Sequence, residues 1–149
     1  MTSPGAITPY LIVQGEARAI IWYQEALGAS EVVRLADPSG KVMHAELMFG
    51  GSSIMLADEF PEQGYRSPTS LGGSSVSILL YVADVDAVFA QGLALGAVEM
   101  VPVADQFDGD RRGTLKDPFG HVWLLATSRE KITVDELRRR FDEMMNEQS

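Results

Sequence analysis

The residues best placed for chemistry in this 149-residue chain are a histidine and a glutamate two positions apart. In the stretch VMHAELMF, His44 and Glu46 alternate with the apolar residues Met43, Ala45, Leu47 and Phe49. Side chains alternate between the two faces of a strand. The apolar face is therefore predicted to pack on helices, and the opposite face is predicted to direct His44 and Glu46 toward a cavity. The two side chains would lie roughly 7 Å apart. An imidazole and a carboxylate at that separation can share a ligand, a proton or a metal ion. The alternative is a polar face that only contacts solvent.

Aromatic and apolar residues on two other predicted strands would line the same kind of cavity. Alternation places Tyr10 on one face with Ile12, and Leu79 on one face with Tyr81. Walls of this kind suit a flat or partly apolar molecule, with the phenol hydroxyls fixing its orientation. For each tyrosine taken alone, packing in the core is the alternative.

A charged loop, ADQFDGDRRG at 104–113, adds Gln106 and Arg111 to the candidate ligand-binding residues. Polar side chains at the mouth of a cavity can hold a polar ligand, and the Arg111 guanidinium can bind an acidic group through two parallel hydrogen bonds. The alternative is that Asp110 and Arg111 pair with nearby groups and only hold the loop.

The elements that must position these residues occur twice in the same order, a strand, a helix and three strands. The first set is predicted at 7–13, 16–27, 30–37, 41–49 and 52–58. The second set is predicted at 75–84, 85–96, 97–103, 111–117 and 121–127. Letters repeat as well, because ALGA at 26–29 recurs at an offset of 68 and MLA at 55–57 matches LLA at an offset of 69. The shared order and register predict an internal duplication.

The duplication divides the chain into a first module at 1–58, a Gly-, Pro- and Ser-rich linker at 59–75, a second module at 76–127 and a C-terminal helix at 128–149. A capping box and an apolar stripe predict that helix, from Thr133, Val134, Glu136, Leu137, Phe141 and Met144 or Met145. We expect it to pack on its own module or on a neighbouring chain. Recruitment of a protein partner by the helix and the acidic surface is the alternative.

Composition excludes several classes of function. The formal net charge of −9 disfavours nucleic acid and anionic membranes as partners. The absence of cysteine excludes disulfides, thiolate nucleophiles and Cys-ligated metals. No secretory signal and no apolar run of about 20 residues is present, which predicts a cytoplasmic protein. Glycine-rich phosphate loops and serine-hydrolase motifs are absent as well.

Two βαβββ modules in one chain, with the stretch ADQFDGDRRGTLKDPFGHVWLLAT leading into the last strand, resemble the vicinal oxygen chelate superfamily. This superfamily includes glyoxalases, extradiol dioxygenases and bleomycin resistance proteins, and the stretch is most similar to its PhnB-like, glyoxalase-like branch. The resemblance spans 7–127 and implies an α+β fold whose two tandem modules form a curved, incomplete barrel around a cavity. It also implies a homodimer, since relatives complete their cavities across subunits, often with exchanged modules.

The resemblance also bears on a metal site. Metal enzymes of the superfamily bind their ion with residues of the first and last strands of both modules, and the matching positions here are Thr8, Met55, Ser77 and Leu124. Methionine and leucine offer no oxygen or imidazole donor, and hydroxyls alone bind divalent ions weakly. Alternation along the last strand places Leu124 on the cavity side with Val122 and Ala126, and turns His121, Trp123 and Leu125 toward the helices or the rim.

The resulting hypothesis is a protein without a metal or other cofactor that binds a small organic molecule, as bleomycin resistance proteins do. Its candidate ligand-binding residues are Tyr10, His44, Glu46, Tyr81, Gln106 and Arg111. The alternative is a divalent-metal-dependent lyase, isomerase or dioxygenase with ligands relocated to His44, Glu46 and Asp58. Neither hypothesis assigns catalytic residues.

Overall fold

A computed structural model describes residues 5–148 and contains two four-stranded mixed sheets. The first module consists of β1 (Tyr10–Val13), α1 (Glu16–Leu27), β2 (Ser30–Ala36), β3 (Val42–Phe49) and β4 (Ser52–Asp58). Its strands lie in the order β1-β4-β3-β2, with β1 parallel to β4 and the other pairs antiparallel. The parallel pair is possible because α1 carries the chain back across the sheet between β1 and β2.

A folded connection separates this module from the second one. It contains a short 3-10 helix (Pro61–Gln63) and the four-residue helix α2 (Pro68–Leu71). The second module consists of β5 (Ser77–Tyr81), α3 (Val85–Ala94), β6 (Val98–Asp105), β7 (Asp110–Lys116) and β8 (Val122–Ser128). Its strand order, β5-β8-β7-β6, repeats that of the first module. The terminal helix α4 (Val134–Glu147) follows.

The predicted duplication holds at the level of single contacts. Tyr10 pairs with Met55 across β1 and β4, and Leu79 pairs with Leu124 across β5 and β8. Both residues of the second pair lie 69 positions after those of the first. The α+β prediction of two tandem βαβββ modules and a terminal helix is therefore confirmed. Within one chain the two sheets do not close into a barrel.

The helix-facing sides of the two sheets share one core. The Tyr23 hydroxyl donates to Asp117 Oδ2 at 2.6 Å across the modules, and the rings of Phe49 and Trp123 lie 5.4 Å apart. Trp22 Nε1 donates to the Leu95 carbonyl oxygen at 2.8 Å, which joins α1 to the end of α3. The opposite sides of the sheets are therefore turned away from this core.

We call these outer sides the first open face, with Tyr10, Ile12, His44, Glu46, Met55 and Ala57, and the second open face, with Leu79, Tyr81, Thr114, Leu124 and Ala126. The predicted alternation along β8 agrees with this arrangement, because Trp123 and Leu125 are buried in the core and Leu124 is half-buried. His121 lies at the start of β8 with Nε2 2.9 Å from the Ile12 carbonyl oxygen.

The prediction of which side of the first sheet Met43 occupies is wrong. Met43 was expected on the helix side with Ala45, but its side chain is 42% exposed and lines a cavity, while Val42 is buried instead. The pairing of β3 with β2 shifts register between Leu35 and Ala36, which changes the alternation at this end of β3.

Local signals explain the helix ends. Gly28 has φ 74° and ends α1, and the Ala29 N–H closes the turn by donating to the Tyr23 carbonyl oxygen. Thr133 accepts a hydrogen bond from the Glu136 N–H and begins α4, which buries none of its side chains completely. None of the helices within residues 5–148 is long and apolar enough to span a membrane.

Candidate ligand-binding site

A cavity of about 520 Å³ lies against the first open face. Its lining is mostly apolar and aromatic, and consists of Tyr10, Ile12, Met43, Ala57, Asp58, Phe60, Gln63 and Tyr65. The strands β1, β3 and β4 supply its floor, and the segment that follows β4 supplies one wall. Cavities of this size and lining are typical of sites for small organic molecules.

The wall is a short lip, residues 59–65, held in place by polar contacts. Phe60 and Tyr65 exchange backbone hydrogen bonds of 2.9 and 3.0 Å, which folds the lip back on itself. The Glu59 carboxylate accepts bonds from the Ser67 N–H and hydroxyl at 2.7 and 2.6 Å, and from Gln14 Nε2 at 3.1 Å. These hydrogen bonds lower the pKa of Glu59 to about 2, and the bond from the Ser67 hydroxyl has the largest effect. The lip is therefore fixed to the residue that follows β1 and to the start of α2.

The cavity side of β1 carries a hydrogen-bonded pair. Tyr10 Oη lies 3.0 Å from His44 Nδ1, and the two rings are 5.8 Å apart. Partial burial raises the pKa of the Tyr10 hydroxyl, and the charges of Glu16 and Tyr65 add to this effect. The pair presents a phenol and an imidazole at the edge of the cavity.

Glu46 lies on the same face as His44, two residues further along β3, but is completely buried. Its Oε2 accepts a hydrogen bond of 2.7 Å from the Ser53 hydroxyl. Glu46 is not among the residues that line the cavity. The structure thus places Tyr10 at the cavity, His44 next to it, and Glu46 beneath the surface.

An acidic pair lies where β4 meets the first turn of α1. Asp58 Oδ1 accepts hydrogen bonds from the backbone N–H groups of Gly15 and Glu16, at 3.1 and 2.8 Å, where the helix dipole favours a negative charge. The Glu16 carboxylate is buried, and neither oxygen has a hydrogen-bond partner among the described residues. Burial, and then the charge of Asp58, raise the pKa of Glu16 to about 8.

The other three predicted site residues lie away from this cavity. The Tyr81 hydroxyl donates to Asp110 Oδ2 at 2.6 Å, which is the largest cause of its raised pKa. Gln106 Nε2 donates to the carbonyl oxygen of Ala104 in its own loop.

Arg111 points to the helix side of the second sheet. Its guanidinium donates two hydrogen bonds to Asp86 in α3, at 2.8 and 2.9 Å, and one to Asp105 at 3.2 Å. This is the loop-holding arrangement that the sequence left open as the alternative.

Five residues that line the cavity were not predicted from the sequence. Phe60, Gln63 and Tyr65 lie in the stretch predicted as a linker, Met43 was assigned to the wrong face, and Ala57 was given no role. The available signal was the pair of aromatic residues in a segment otherwise rich in glycine, proline and polar residues.

Among the residues that the structure describes, the positions that the resemblance assigns to a metal site do not offer ligands suited to a divalent ion. Met55 and Leu124 have no donor for such an ion, and their strand partners are Tyr10 and Leu79 rather than Thr8 and Ser77. Within residues 5–148, His, Cys, Asp and Glu side chains form no group of three or more that could hold a metal. The set His44, Glu46 and Asp58 therefore forms no such group.

Comparisons with known proteins agree with this fold. The family model described as Glyoxalase/Bleomycin resistance protein/Dioxygenase superfamily matches residues 6–125. An uncharacterised protein of Mycobacterium tuberculosis is 43% identical over 136 residues, covering 89% of this chain and 80% of that protein.

Solved structures give the same result. A gene product of Arabidopsis thaliana has a TM-score of 0.64 and 30% identity, covering 83% of this chain and 99% of that one. TioX from Micromonospora sp. ML1 has a TM-score of 0.64 and 25% identity, covering 87% of this chain and 100% of that one.

Proposed function

Since the chain belongs to the glyoxalase/bleomycin resistance protein/dioxygenase superfamily, we propose that it binds a small, partly apolar organic molecule without a metal ion. The observation that carries this proposal is the cavity of about 520 Å³ against the first open face. Ile12, Met43 and Ala57 give it an apolar floor that favours burial of a hydrocarbon or ring system. The Tyr10 hydroxyl and the Gln63 amide would orient the bound molecule.

The chemistry of the side chains supports metal-independent binding. The two polar side chains of β3 that could bind an ion, His44 and Glu46, already contact Tyr10 and Ser53. Asp58 uses one carboxylate oxygen to hold the first turn of α1. Metal sites need several such donors directed at one point.

A second copy of the chain is part of the proposal, because both open faces expose apolar surface. Tyr10 is 48% exposed on the first face, and Leu79 and Tyr81 are 46% and 55% exposed on the second. Large apolar and aromatic side chains exposed on the face of a sheet are consistent with an interface or a binding groove. We propose that the second open face of one copy covers the first open face of another. Sedimentation equilibrium should then give twice the chain mass of 16.2 kDa, and Leu79→Arg should shift the protein toward monomer.

Thermal-shift screening against aromatic and cationic organic compounds tests ligand binding. A compound at about 100 times its Kd stabilises the folded state by roughly 2.7 kcal/mol, which is about 5–10 °C in Tm for a chain of this size. We expect Met43→Trp to reduce the shift, because the bulkier indole would occupy part of the cavity.

Met145→Trp is the matched control. Met145 is 40% exposed, against 42% for Met43, and lies on α4. It should keep the full shift. A ligand that stabilises the Met43→Trp variant as well as the unmodified protein would rule out this cavity as the binding site.

A further inference from the structure

We propose that the cavity against the first open face binds an organic cation, a molecule with an alkylammonium group, and that Asp58 with Glu16 supplies the opposing charge. The inference rests on the proposed function and narrows it to one class of ligand. Three observations carry it, namely the charge of the lining residues, the arrangement of the rings, and a comparison between the two modules at equivalent positions.

The lining carries acidic but no basic side chains. Of its eight residues, Asp58 alone has a formal charge, and the other polar groups are two phenols and an amide. The nearby cations are Lys41, near the Phe60 ring, and Arg66, which lines the adjacent groove along β1. An anion in the cavity would therefore meet a carboxylate, whereas a cation would be attracted to it.

Aromatic rings form much of the cavity wall. Tyr10, Phe60 and Tyr65 line it, and the electron-rich face of such a ring attracts a cation within about 6 Å. Lys41 Nζ occupies one face of the Phe60 ring, 3.9 Å from the ring centroid, so a bound cation would contact the other face of this ring and the rings of Tyr10 and Tyr65. Rings and a carboxylate around one cavity are the usual surroundings of an alkylammonium group.

The second module shows that the fold does not need the acidic pair. At the positions displaced by 69 residues it has Val85 in place of Glu16 and Thr127 in place of Asp58. Thr127 Oγ1 accepts the Val85 N–H at 2.9 Å, as Asp58 Oδ1 accepts the Glu16 N–H at 2.8 Å. A hydroxyl and an apolar side chain are therefore enough to join the last strand of a module to the first turn of its helix. The two carboxyl groups of the first module are additional, and one of them lines the cavity.

A bound cation should also release a proton. Burial and the charge of Asp58 raise the pKa of Glu16 to about 8, which favours its protonated form at neutral pH. The charged groups that act on it are Asp58 from β4 and Arg34 from β2. A positive charge beside Asp58 favours the ionised form of Glu16. Titrations in buffers of different ionisation enthalpy would detect the released proton.

The test compares choline with its uncharged carbon isostere, dimethylbutanol, by calorimetric or NMR titration of the full chain. The two molecules have the same shape, so their difference in Kd measures the contribution of charge. We expect choline to bind at least about tenfold more tightly, from a cation–π and charge contribution of 1.4 kcal/mol or more. The double variant Glu16→Val, Asp58→Thr copies the second module and should lose this preference and the proton release.

Asp135→Thr is the control, since it removes one acid from an exposed position on α4. It should keep the preference. If the double variant does not fold, Asp58→Asn replaces it, because its amide oxygen can still accept the N–H groups at the start of α1.

Equal binding of choline and its isostere, or a preference that survives in the acid-free variant, would overturn the inference. A neutral ligand whose binding Met43→Trp weakens would overturn it while leaving the proposed function intact. If no compound of either charge binds, the proposed function fails as well.

Discussion

The two modules have the same strand order, but the tyrosines on their open faces have different partners. In the first module Tyr10 lies beside His44 at the edge of a cavity. In the second, the Tyr81 hydroxyl donates to Asp110, whose carboxylate also pairs with Arg112. Tyr10 is thus available to a ligand, whereas Tyr81 holds the start of β7.

The segments that follow β4 and β8, the last strands of the two modules, also have different contacts. After β4 the chain turns back as the lip and builds a wall of the cavity. After β8 it runs into α4, where Arg140 pairs with Glu130 and donates to the Phe107 carbonyl oxygen. The duplication therefore provides two similar faces, and the segments that follow the two sheets pack differently.

The largest effect is expected where the modules meet. Asp117 is buried and accepts four hydrogen bonds, from Tyr23 Oη, Trp123 Nε1 and the N–H groups of Phe119 and His121. Asp117→Ala leaves these donors unpaired and should lower the free energy of unfolding by about 4 kcal/mol. Urea denaturation measures the loss.

The matched control is the same substitution in the other D-P-x-G turn. Asp37 accepts bonds from the Ser39 N–H and hydroxyl and from the Lys41 N–H, in a partly exposed turn where water can replace it. Asp37→Ala should cost only a small fraction of the loss in Asp117→Ala. Equal losses in the two variants would contradict the assignment of Asp117 as the joint between modules.

The second effect concerns Glu16 and Asp58, the acidic pair where β4 meets the first turn of α1. The second module has Val85 and Thr127 at the corresponding positions. The pKa of Glu16 rises from an ordinary 4.5 to about 8, so the folded state binds a proton that the unfolded state releases between these values. Stability is therefore full below about pH 4.5 and falls as the pH rises toward 8. The loss should reach up to about 3 kcal/mol for a fully buried carboxyl group.

Glu16→Val should flatten this dependence, as measured by urea denaturation at pH 5 and pH 8. Glu25→Gln, on the exposed side of α1, should leave it unchanged. The interpretation fails if the Glu16→Val protein loses as much stability between the two pH values as the unmodified protein does.

A smaller effect separates the two tyrosines. Tyr81→Phe removes a 2.6 Å hydrogen bond to Asp110 and should cost about 1.5 kcal/mol of stability. Tyr10→Phe removes a more exposed contact, so it should cost less than 1 kcal/mol but weaken ligand binding severalfold. Denaturation and ligand titration of both variants check this. The reverse order of the two stability losses would count against it.

The smallest effect is expected from metal removal. Treatment with a chelator should leave both Tm and the ligand-induced shift unchanged, and metal analysis should find less than stoichiometric zinc, nickel, manganese or iron. A tightly held equivalent of one of these metals, lost together with ligand binding, would favour the metal-dependent alternative.

The regular elements could be predicted because local signals determine them. Gly28 ends α1 at the predicted residue, and alternating polarity assigns Ala45 and Leu47 to the core. Features that depend on contacts between distant parts of the chain could not be predicted. The register shift that exposes Met43 depends on pairing with β2, which a single strand does not reveal.

The lip was missed for a related reason. Its composition is that of a flexible connection, and contacts such as that of Glu59 with Gln14, which is distant in sequence, hold it over the sheet. The partner of Arg111 could not be predicted for the same reason, because nothing in the loop sequence indicates that the guanidinium binds Asp86 in α3.

A crystal structure with a bound organic cation tests the central claim most directly. The account predicts electron density for the cation against Phe60, Tyr65 and Asp58, with the second open face of another copy closing the cavity. Density on the second open face alone, or a metal ion coordinated by protein side chains in the cavity, would contradict it.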